Sequence, residues 1–163
     1  MCYDYHGSWN TSATGAHAAL FDPKSNVSTS YGLRSWIKAG MPQSKLIMGL
    51  PLYGRTWRLK DPKSHGIGAP AVGLGPGDDM GTMTFFQVEM FNKENNATVT
   101  YDVKTVSTYS FAGTSWIGYD DTRSTSVKIR FAQALRLRGY FFWAVNGDHE
   151  WKISKQASRL WIL

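Results

Sequence analysis

The sequence has little cysteine and no long hydrophobic run. One of its 163 residues is a cysteine, Cys2, which excludes an internal disulfide and a zinc site built on cysteine ligands. No segment approaches the roughly 20 apolar residues that a membrane-spanning helix requires, and residues 1–5 show no basic flank followed by an apolar run. We therefore expect neither a membrane contact nor a secretion signal within this sequence.

Positive charge is in excess, because 18 Lys and Arg face 12 Asp and Glu and give a net charge of +6. The basic residues of the last third are spread along a predicted helix, as on a solvated face: Arg123, Lys128, Arg130, Arg136 and Arg138. No helix-turn-helix, finger or RNA-binding signature accompanies them, so we expect no nucleic-acid partner. The four histidines lack the helical pairing typical of ligands, and we expect no metal and no cofactor: His6, His17, His65 and His149.

Apolar periodicity predicts strands and helices in both flanks of the chain. Strands are expected at residues 1–5, 45–53 and 139–145, and helices at 31–39, 124–138 and 154–163. The runs at 45–53 and 139–145 are almost continuously apolar, which is typical of strands buried on both faces of a parallel sheet. We expect Ser124 or Thr125 to cap the helix at 124–138 and Gly139 to end it.

The middle of the chain has a different character. Residues 61–82 are rich in Gly, Pro and Asp and predict an irregular loop without the G-x-G-x-x-G order of a phosphate-binding turn. A short helix at 84–92 and two strands at 97–103 and 106–112 follow. The chain is therefore expected to divide into flanks at 1–60 and 119–163 and a small α+β insert at 61–118.

The flanking strands and helices fit a parallel α/β sheet or barrel. An eight-stranded barrel takes about 250 residues, so in that architecture this chain is one part of the barrel. An open three-stranded sheet would instead leave apolar strands with unpaired edges, which favours aggregation.

Polar and aromatic side chains gather where the predicted strands end, at the edge where parallel α/β folds bind ligands. They are Tyr3, Asp4, Tyr53, Arg55 and Trp143. A carboxylate, phenols, a guanidinium and an indole around one cavity suit a sugar, whose apolar face stacks on the indole. The residue types leave an alternative open, in which Tyr53 and Trp143 are core aromatics and Asp4 pairs with Arg55 as a structural ion pair.

Four motifs, in the right order, resemble those of glycoside hydrolase family 18, the chitinase family. Residues 1–7 (MCYDYHG) resemble the M-x-Y-D signature of its sixth barrel strand, residues 50–57 (LPLYGRTW) its seventh strand and residues 139–151 (GYFFWAVNGDHEW) its eighth. The segment between them, including WIGYDD at 116–121, resembles the chitinase insertion domain. The resemblance spans nearly the whole chain and extends to plant class V chitinases and to chitinase-like ectodomains of plant receptor kinases.

The resemblance implies an incomplete (β/α)8 TIM barrel, strands six to eight, with a small α+β insertion domain between strands seven and eight. It implies binding of chitin or N-acetylglucosamine oligosaccharides. Family members cleave chitin with the substrate's own acetamido carbonyl as nucleophile and a glutamic acid as proton donor. Tyr3 and Asp4 match the residues that orient the acetamido group, Trp143 matches the floor of the cleavage subsite, and Tyr53 and Arg55 match contacts to neighbouring sugars.

The sequence departs from the family at the proton donor. The D-x-x-D-x-D-x-E motif that carries the catalytic glutamic acid does not occur in it. The pairs Asp78-Asp79 and Asp120-Asp121 lack a Glu at the needed spacing, and we expect them to serve in turns and caps. General acid catalysis contributes roughly 10²–10⁴-fold, so the chain alone is predicted to be inactive.

Two further hypotheses remain at this point. One is a non-catalytic lectin or receptor-kinase ectodomain that binds chitin oligosaccharides, and the other is a truncated product that does not fold stably. Three N-x-S/T sequons, at Asn10, Asn26 and Asn96, together with the family resemblance, favour an extracellular origin.

Overall fold

The computed structural model of the protein describes residues 1–161, which form two β-sheets flanked by four α-helices. The strands are β1 (Ile47–Pro51), β2 (Tyr53–Arg58), β3 (Thr82–Thr84), β4 (Thr98–Asp102), β5 (Ser107–Ala112), β6 (Ser115–Tyr119) and β7 (Gly139–Trp143). The helices are α1 (Thr29–Lys38), α2 (Phe85–Glu94), α3 (Thr122–Ala134) and α4 (Lys152–Leu160). Within residues 1–161, no helix has the length and apolar character that crossing a bilayer requires.

The first sheet contains the two apolar runs of the flanks, β1 and β7, paired in parallel. Ile47 lies opposite Gly139 at one end of the ladder, and Pro51 lies opposite Trp143 at the other. Met48 and Leu50 of β1 are buried and pack with Ile129 of α3 in one hydrophobic cluster. The expected burial of 139–145 on both faces is wrong, because Trp143 is 60% exposed and Phe141 is 38% exposed.

The strand expected at residues 1–5 is also absent from the described structure. The segment lies beside β1, where the Cys2 N–H donates to the Gly49 carbonyl oxygen at 3.2 Å, but no ladder follows. The backbone of Asp4 adopts a φ of 61°, which turns the chain out of the extended conformation that a strand needs. The Tyr5 N–H then donates to the carbonyl oxygen of His17 at 2.9 Å.

The second sheet is antiparallel and has the order β3-β2-β6-β5-β4. Two fully buried indoles, Trp57 on β2 and Trp116 on β6, meet edge to face on it with centroids 5.4 Å apart.

The single strand expected at 45–53 is instead divided between two sheets, because β1 ends at Pro51 and β2 begins at Tyr53, with Leu52 between them. The second sheet begins at Tyr53, within the predicted flank 1–60, and the division at residue 60 stays a prediction.

Leu52 ties the two sheets together through its backbone. Its N–H donates to the Trp143 carbonyl oxygen at 2.8 Å, and its carbonyl oxygen accepts from the Phe85 N–H at 2.9 Å. The chain thus passes from the end of β1 directly into β2, and the residues that follow Leu52 start at the end of the parallel pair.

The helix expected at 124–138 begins and ends earlier. Asp121 is its N-cap: its carboxylate accepts from the Ser124 N–H at 2.8 Å, and the Ser124 hydroxyl accepts from the Asp121 N–H at 3.0 Å. The expected cap at Ser124 or Thr125 is wrong, because Ser124 fills the third helical position of this reciprocal pair. The helix ends at Ala134, since Arg136 has a φ of 55° and turns the chain before Gly139 opens β7.

The remaining elements follow the predicted pattern with shifted ends. The helix at 84–92 is observed as α2, the strands at 97–103 and 106–112 as β4 and β5, and the helix at 31–39 as α1. Residues 61–81 form an irregular loop, attached by an isolated bridge from Leu59 to Ala71. The helix expected at 154–163 is α4, and its predicted last two residues, 162 and 163, lie outside the described residues.

Candidate functional site

The carboxylate of Asp4 is the centre of a polar cluster at the end of β1. Its Oδ1 accepts hydrogen bonds from the Tyr53 hydroxyl at 2.6 Å and the Arg55 Nε at 2.9 Å, and a second Arg55 nitrogen lies 2.9 Å away. Tyr53 and Arg55 are two residues apart on β2, so strand alternation places both side chains on one face. The Asp4 side chain remains 37% exposed, which leaves the carboxylate open to a ligand.

The backbone of Asp4 accounts for its place in the cluster. The left-handed φ of 61° is a conformation that Asp tolerates better than most residues. Tyr3, one residue before, is buried, and its ring meets the Tyr53 ring edge to face at 5.9 Å. Tyr3 and Asp4 therefore both contact Tyr53.

The charge states in the cluster are set by burial and by the partners of Asp4. Burial raises the pKa of Asp4, but the approach of His17, the hydrogen bonds from Tyr53 and Arg55 and the Arg55 charge outweigh it and hold the pKa well below its usual range. Burial, and then the neighbouring Asp4 carboxylate, raise the pKa of the Tyr53 phenol. At neutral pH the cluster thus presents an ionised carboxylate beside a protonated phenol.

Arg55 is held from the opposite side by the end of the irregular loop. Its Nη1 donates to the Thr82 hydroxyl at 3.1 Å and to the Met80 carbonyl oxygen at 3.3 Å. Its guanidinium carbon lies 5.4 Å from the centre of the Trp9 ring, a cation–π distance. Trp9 itself is exposed, so an indole plane extends the cluster into solvent.

Trp143 is joined to the cluster through the backbone. It ends β7 opposite Pro51, and its carbonyl oxygen holds the Leu52 N–H just before Tyr53. Its side chain is 60% exposed, so the alternative in which Trp143 is a core aromatic is wrong. The Asp4–Arg55 ion pair of that alternative does exist, with the Arg55 side chain 11% and the Asp4 side chain 37% exposed.

Sequence reasoning left three contributors to this cluster unassigned: Trp9, His17 and Thr82. Trp9 lies five residues after Asp4 in a polar stretch, and a lone tryptophan there could have indicated a contribution to the site. Thr82 carried none, because its position depends on the antiparallel pairing that sets it opposite Arg55.

His17 lies behind Asp4 and is 1% exposed. Its Nδ1 is 3.8 Å from Asp4 Oδ1, beyond hydrogen-bond distance, and its ring centre is 5.0 Å from that of Tyr53. Neither ring nitrogen has a hydrogen-bond partner among residues 1–161. Burial lowers the pKa of His17, against the opposing effect of Asp4 and Asp120.

The two acidic pairs singled out in the sequence behave differently. Asp78 accepts from the backbone N–H of Met80 and of Thr82, as expected of a turn residue. Asp121 caps α3, but the capping role expected of Asp120 is wrong. Asp120 is buried and forms an ion pair with Lys128, which is buried too, so the solvated position expected for Lys128 is wrong.

Neither acidic pair, nor the four histidines, assembles a metal site in the described part of the chain. No group of three or more His, Cys, Asp or Glu side chains there is arranged to hold a metal ion. His149 is instead paired with Glu89 of α2, whose other oxygen accepts from Lys152.

Comparisons with known proteins converge on one family. A family model described as Glycosyl hydrolases family 18 matches residues 1–148. A class V chitinase of Lotus japonicus is 55% identical over 161 residues, which are 99% of this chain and 40% of that protein. The chain therefore spans about two fifths of the length of this curated relative.

Solved structures agree in fold. A class V chitinase from Nicotiana tobaccum in complex with NAG4 superposes with a TM-score of 0.98 at 41% identity, over 100% of this chain and 48% of that one. A chitinase-like agglutinin from Robinia pseudoacacia superposes with a TM-score of 0.88 at 40% identity, over 99% of this chain and 46% of that one.

Proposed function

The chain belongs to glycosyl hydrolases family 18, and from this premise we propose that it binds oligosaccharides of N-acetylglucosamine at the Asp4 cluster. The observation that carries the proposal is the contact of Tyr53 and Arg55 with one oxygen of Asp4. The cluster offers a carboxylate acceptor, a protonated phenol and a guanidinium within a few ångströms, next to exposed indoles.

Each group has a counterpart on such a sugar. An ionised carboxylate accepts from an acetamido N–H or a hydroxyl, and the Tyr3 phenol donates to the acetamido oxygen. The exposed face of Trp143 provides a stacking surface for the apolar side of a pyranose ring. The complex of the tobacco relative with NAG4 supports this ligand class.

We infer that β1 and β7 take the places of strands seven and eight in a (β/α)8 barrel and that residues 1–5 lie in the place of strand six. The parallel register of β1 and β7 and the length of the relatives support this reading. Residues 61–118, with β2, form the insertion domain between strands seven and eight. The ligand site then lies at the carboxyl ends of the strands, where such barrels bind substrates.

The chain binds these sugars without cleaving them. The D-x-x-D-x-D-x-E motif that supplies the family's proton donor does not occur in the 163 residues. Asp120, an acidic residue of the WIGYDD segment, is buried and forms an ion pair with Lys128. Among residues 1–161 the cluster holds Asp4 as its carboxylate, and Asp4 stays ionised and is no proton donor to a leaving group.

A second candidate is a sugar-binding protein without any catalytic partner, such as a lectin. The chitinase-like agglutinin among the structural neighbours favours it. The three sequon asparagines Asn10, Asn26 and Asn96 are exposed, which supports an extracellular location for either candidate.

Calorimetric titration with N-acetylglucosamine tetramer and a reducing-end assay test the proposal. We expect saturable binding, no new reducing ends, and loss of binding in the Arg55→Ala variant. Cellotetraose, which lacks acetamido groups, serves as the control ligand. Equal affinity for cellotetraose would contradict the assigned sugar class, and turnover of the tetramer would contradict the predicted inactivity.

A further inference from the structure

We propose that His17 is a positioning residue for Asp4, donating a hydrogen bond to its carboxylate when a bound sugar takes the donors of Tyr53 or Arg55. The inference rests on the proposed sugar site and adds a residue that contacts no ligand. It assigns a role to the buried imidazole, which the site as described leaves unused.

His17 has hydrogen-bonding capacity that no described residue satisfies. The ring is 1% exposed, and both nitrogens are without a partner among residues 1–161. A neutral imidazole carries one N–H donor, which interiors rarely leave unpaired. Asp4 Oδ1 faces Nδ1 at 3.8 Å, so a shift of about 1 Å would bring the two atoms to ordinary hydrogen-bond distance.

His17 cannot easily move toward Asp4, because hydrogen bonds hold its backbone on both sides. Its carbonyl oxygen accepts from the Tyr5 N–H at 2.9 Å. The next carbonyl, that of Ala18, accepts from the Lys128 ammonium at 2.5 Å, and this ammonium is itself held by the buried Asp120 carboxylate. The imidazole is thus a fixed point, whereas the Asp4 side chain is 37% exposed and can rotate once a donor to Oδ1 is drawn away.

Burial, against the neighbouring carboxylates, keeps the His17 ring neutral at neutral pH. Burial lowers its pKa, and Lys128 acts in the same direction, while Asp4 and Asp120 oppose it. His6, on the same side, is a second histidine whose pKa burial lowers. A neutral ring with its proton on Nδ1 is the form that donates to Asp4.

A bound sugar would compete with Asp4 Oδ1 for the hydrogen-bond donors of Tyr53 and Arg55. Tyr53 and Arg55 both donate to Oδ1 of Asp4. A sugar that accepts a hydrogen bond from either of them leaves this oxygen with one hydrogen bond fewer. A small rotation toward His17 replaces the lost bond without exposing the carboxylate further. Asp4 then keeps its charge, and its orientation toward the acetamido group, throughout binding.

Two substitutions separate this role from simple packing. His17→Asn keeps an N–H donor near the position of Nδ1, and His17→Leu fills similar volume with no donor. We expect His17→Leu to weaken tetramer binding about tenfold and to raise the pKa of Asp4 in the complex, as followed by carboxyl carbon resonances. We expect His17→Asn to bind within about threefold of the unsubstituted chain. Wild-type affinity and an unchanged Asp4 titration in His17→Leu would overturn the proposal.

A ligand-free arm keeps the test independent of sugar binding and of the folding of His17→Leu. Tyr53→Phe removes one donor from Asp4, and we expect the Nδ1 resonance of His17 to shift as it gains Asp4 as acceptor. Unchanged His17 ring resonances in Tyr53→Phe would overturn the positioning role. Absence of tetramer binding by the unsubstituted chain would instead overturn the proposed function alone.

Discussion

Lys128 and Asp120 form an ion pair that is 1% exposed on both sides, with the ammonium 2.6 Å from each carboxylate oxygen. The same ammonium donates to the carbonyl oxygen of Ala18, 110 residues away in sequence. The pair therefore attaches α3 to the segment that carries His17, behind the Asp4 cluster. Removing one member of such a pair leaves an uncompensated charge in the interior, and replacing both does not.

We expect Lys128→Met to lower the free energy of unfolding by about 3–5 kcal/mol. Combining it with Asp120→Leu should recover most of this loss, because the orphaned carboxylate is removed and the Ala18 carbonyl alone lacks a donor. Urea unfolding measures both, and Lys24→Met, at an exposed lysine, is the matched control. The ionic role of the pair is refuted if Lys128→Met is as mild as the control.

The Asp4 carboxyl predicts how stability depends on pH. Its folded pKa lies below its usual value, which is about 3.9 in an unfolded chain. Ionised Asp4 therefore stabilises the folded state above about pH 4, and this contribution is lost as the pH falls from there through the folded pKa. We expect the gap in unfolding free energy between the unsubstituted chain and Asp4→Asn to be constant from about pH 5 to 7 and to narrow below about pH 4.

Urea unfolding at successive pH values measures this gap. Asp79→Asn, which deletes a charge from an exposed loop, controls for the change in net charge. A gap that widens on acidification would mean that Asp4 is not stabilised as an anion by its partners.

Much of the fold was predictable because its signals are local. The apolar runs identified the two strands that pair as β1 and β7, and the motif positions Tyr3, Asp4 and Tyr53 lie in contact. The break at Leu52 was not predictable, since burial continues from β1 into β2 while the hydrogen-bonding partners change. No local pattern marks such an exchange of sheets.

The remaining differences come from contacts between distant residues. Asp120 and Asp121 are adjacent acids, and only the position of Lys128, two turns along α3, decides that one is buried and the other caps the helix. His17 sits in a small-residue stretch, GAHAAL, that looks like ordinary core. Its relation to Asp4 exists only once the chain has folded.

The Tyr53 hydroxyl is expected to contribute to sugar binding through Asp4. Tyr53→Phe removes the 2.6 Å hydrogen bond to Oδ1 and keeps the ring that contacts Tyr3. Loss of one such bond corresponds to about a three- to tenfold loss of affinity for the tetramer. Tyr31→Phe, at an exposed tyrosine on α1, should bind normally, and equal affinities for the two variants in calorimetry would contradict a role for this hydroxyl.

Trp143 and Trp36 provide a matched pair for the stacking surface, because they are 60% and 59% exposed and differ in location. Trp143 ends β7 beside the cluster, whereas Trp36 lies on α1. Burying an apolar side chain of this size is worth about 1.5–3 kcal/mol, so covering the indole with the apolar side of a sugar ring corresponds to roughly tenfold or more in affinity. We expect Trp143→Ala to weaken tetramer binding at least about tenfold with little change in thermal midpoint, because an exposed side chain adds little to folding. Trp36→Ala should change neither quantity, and equal loss of affinity in both variants would show that exposed tryptophans bind chitin oligosaccharides without regard to their place in the fold.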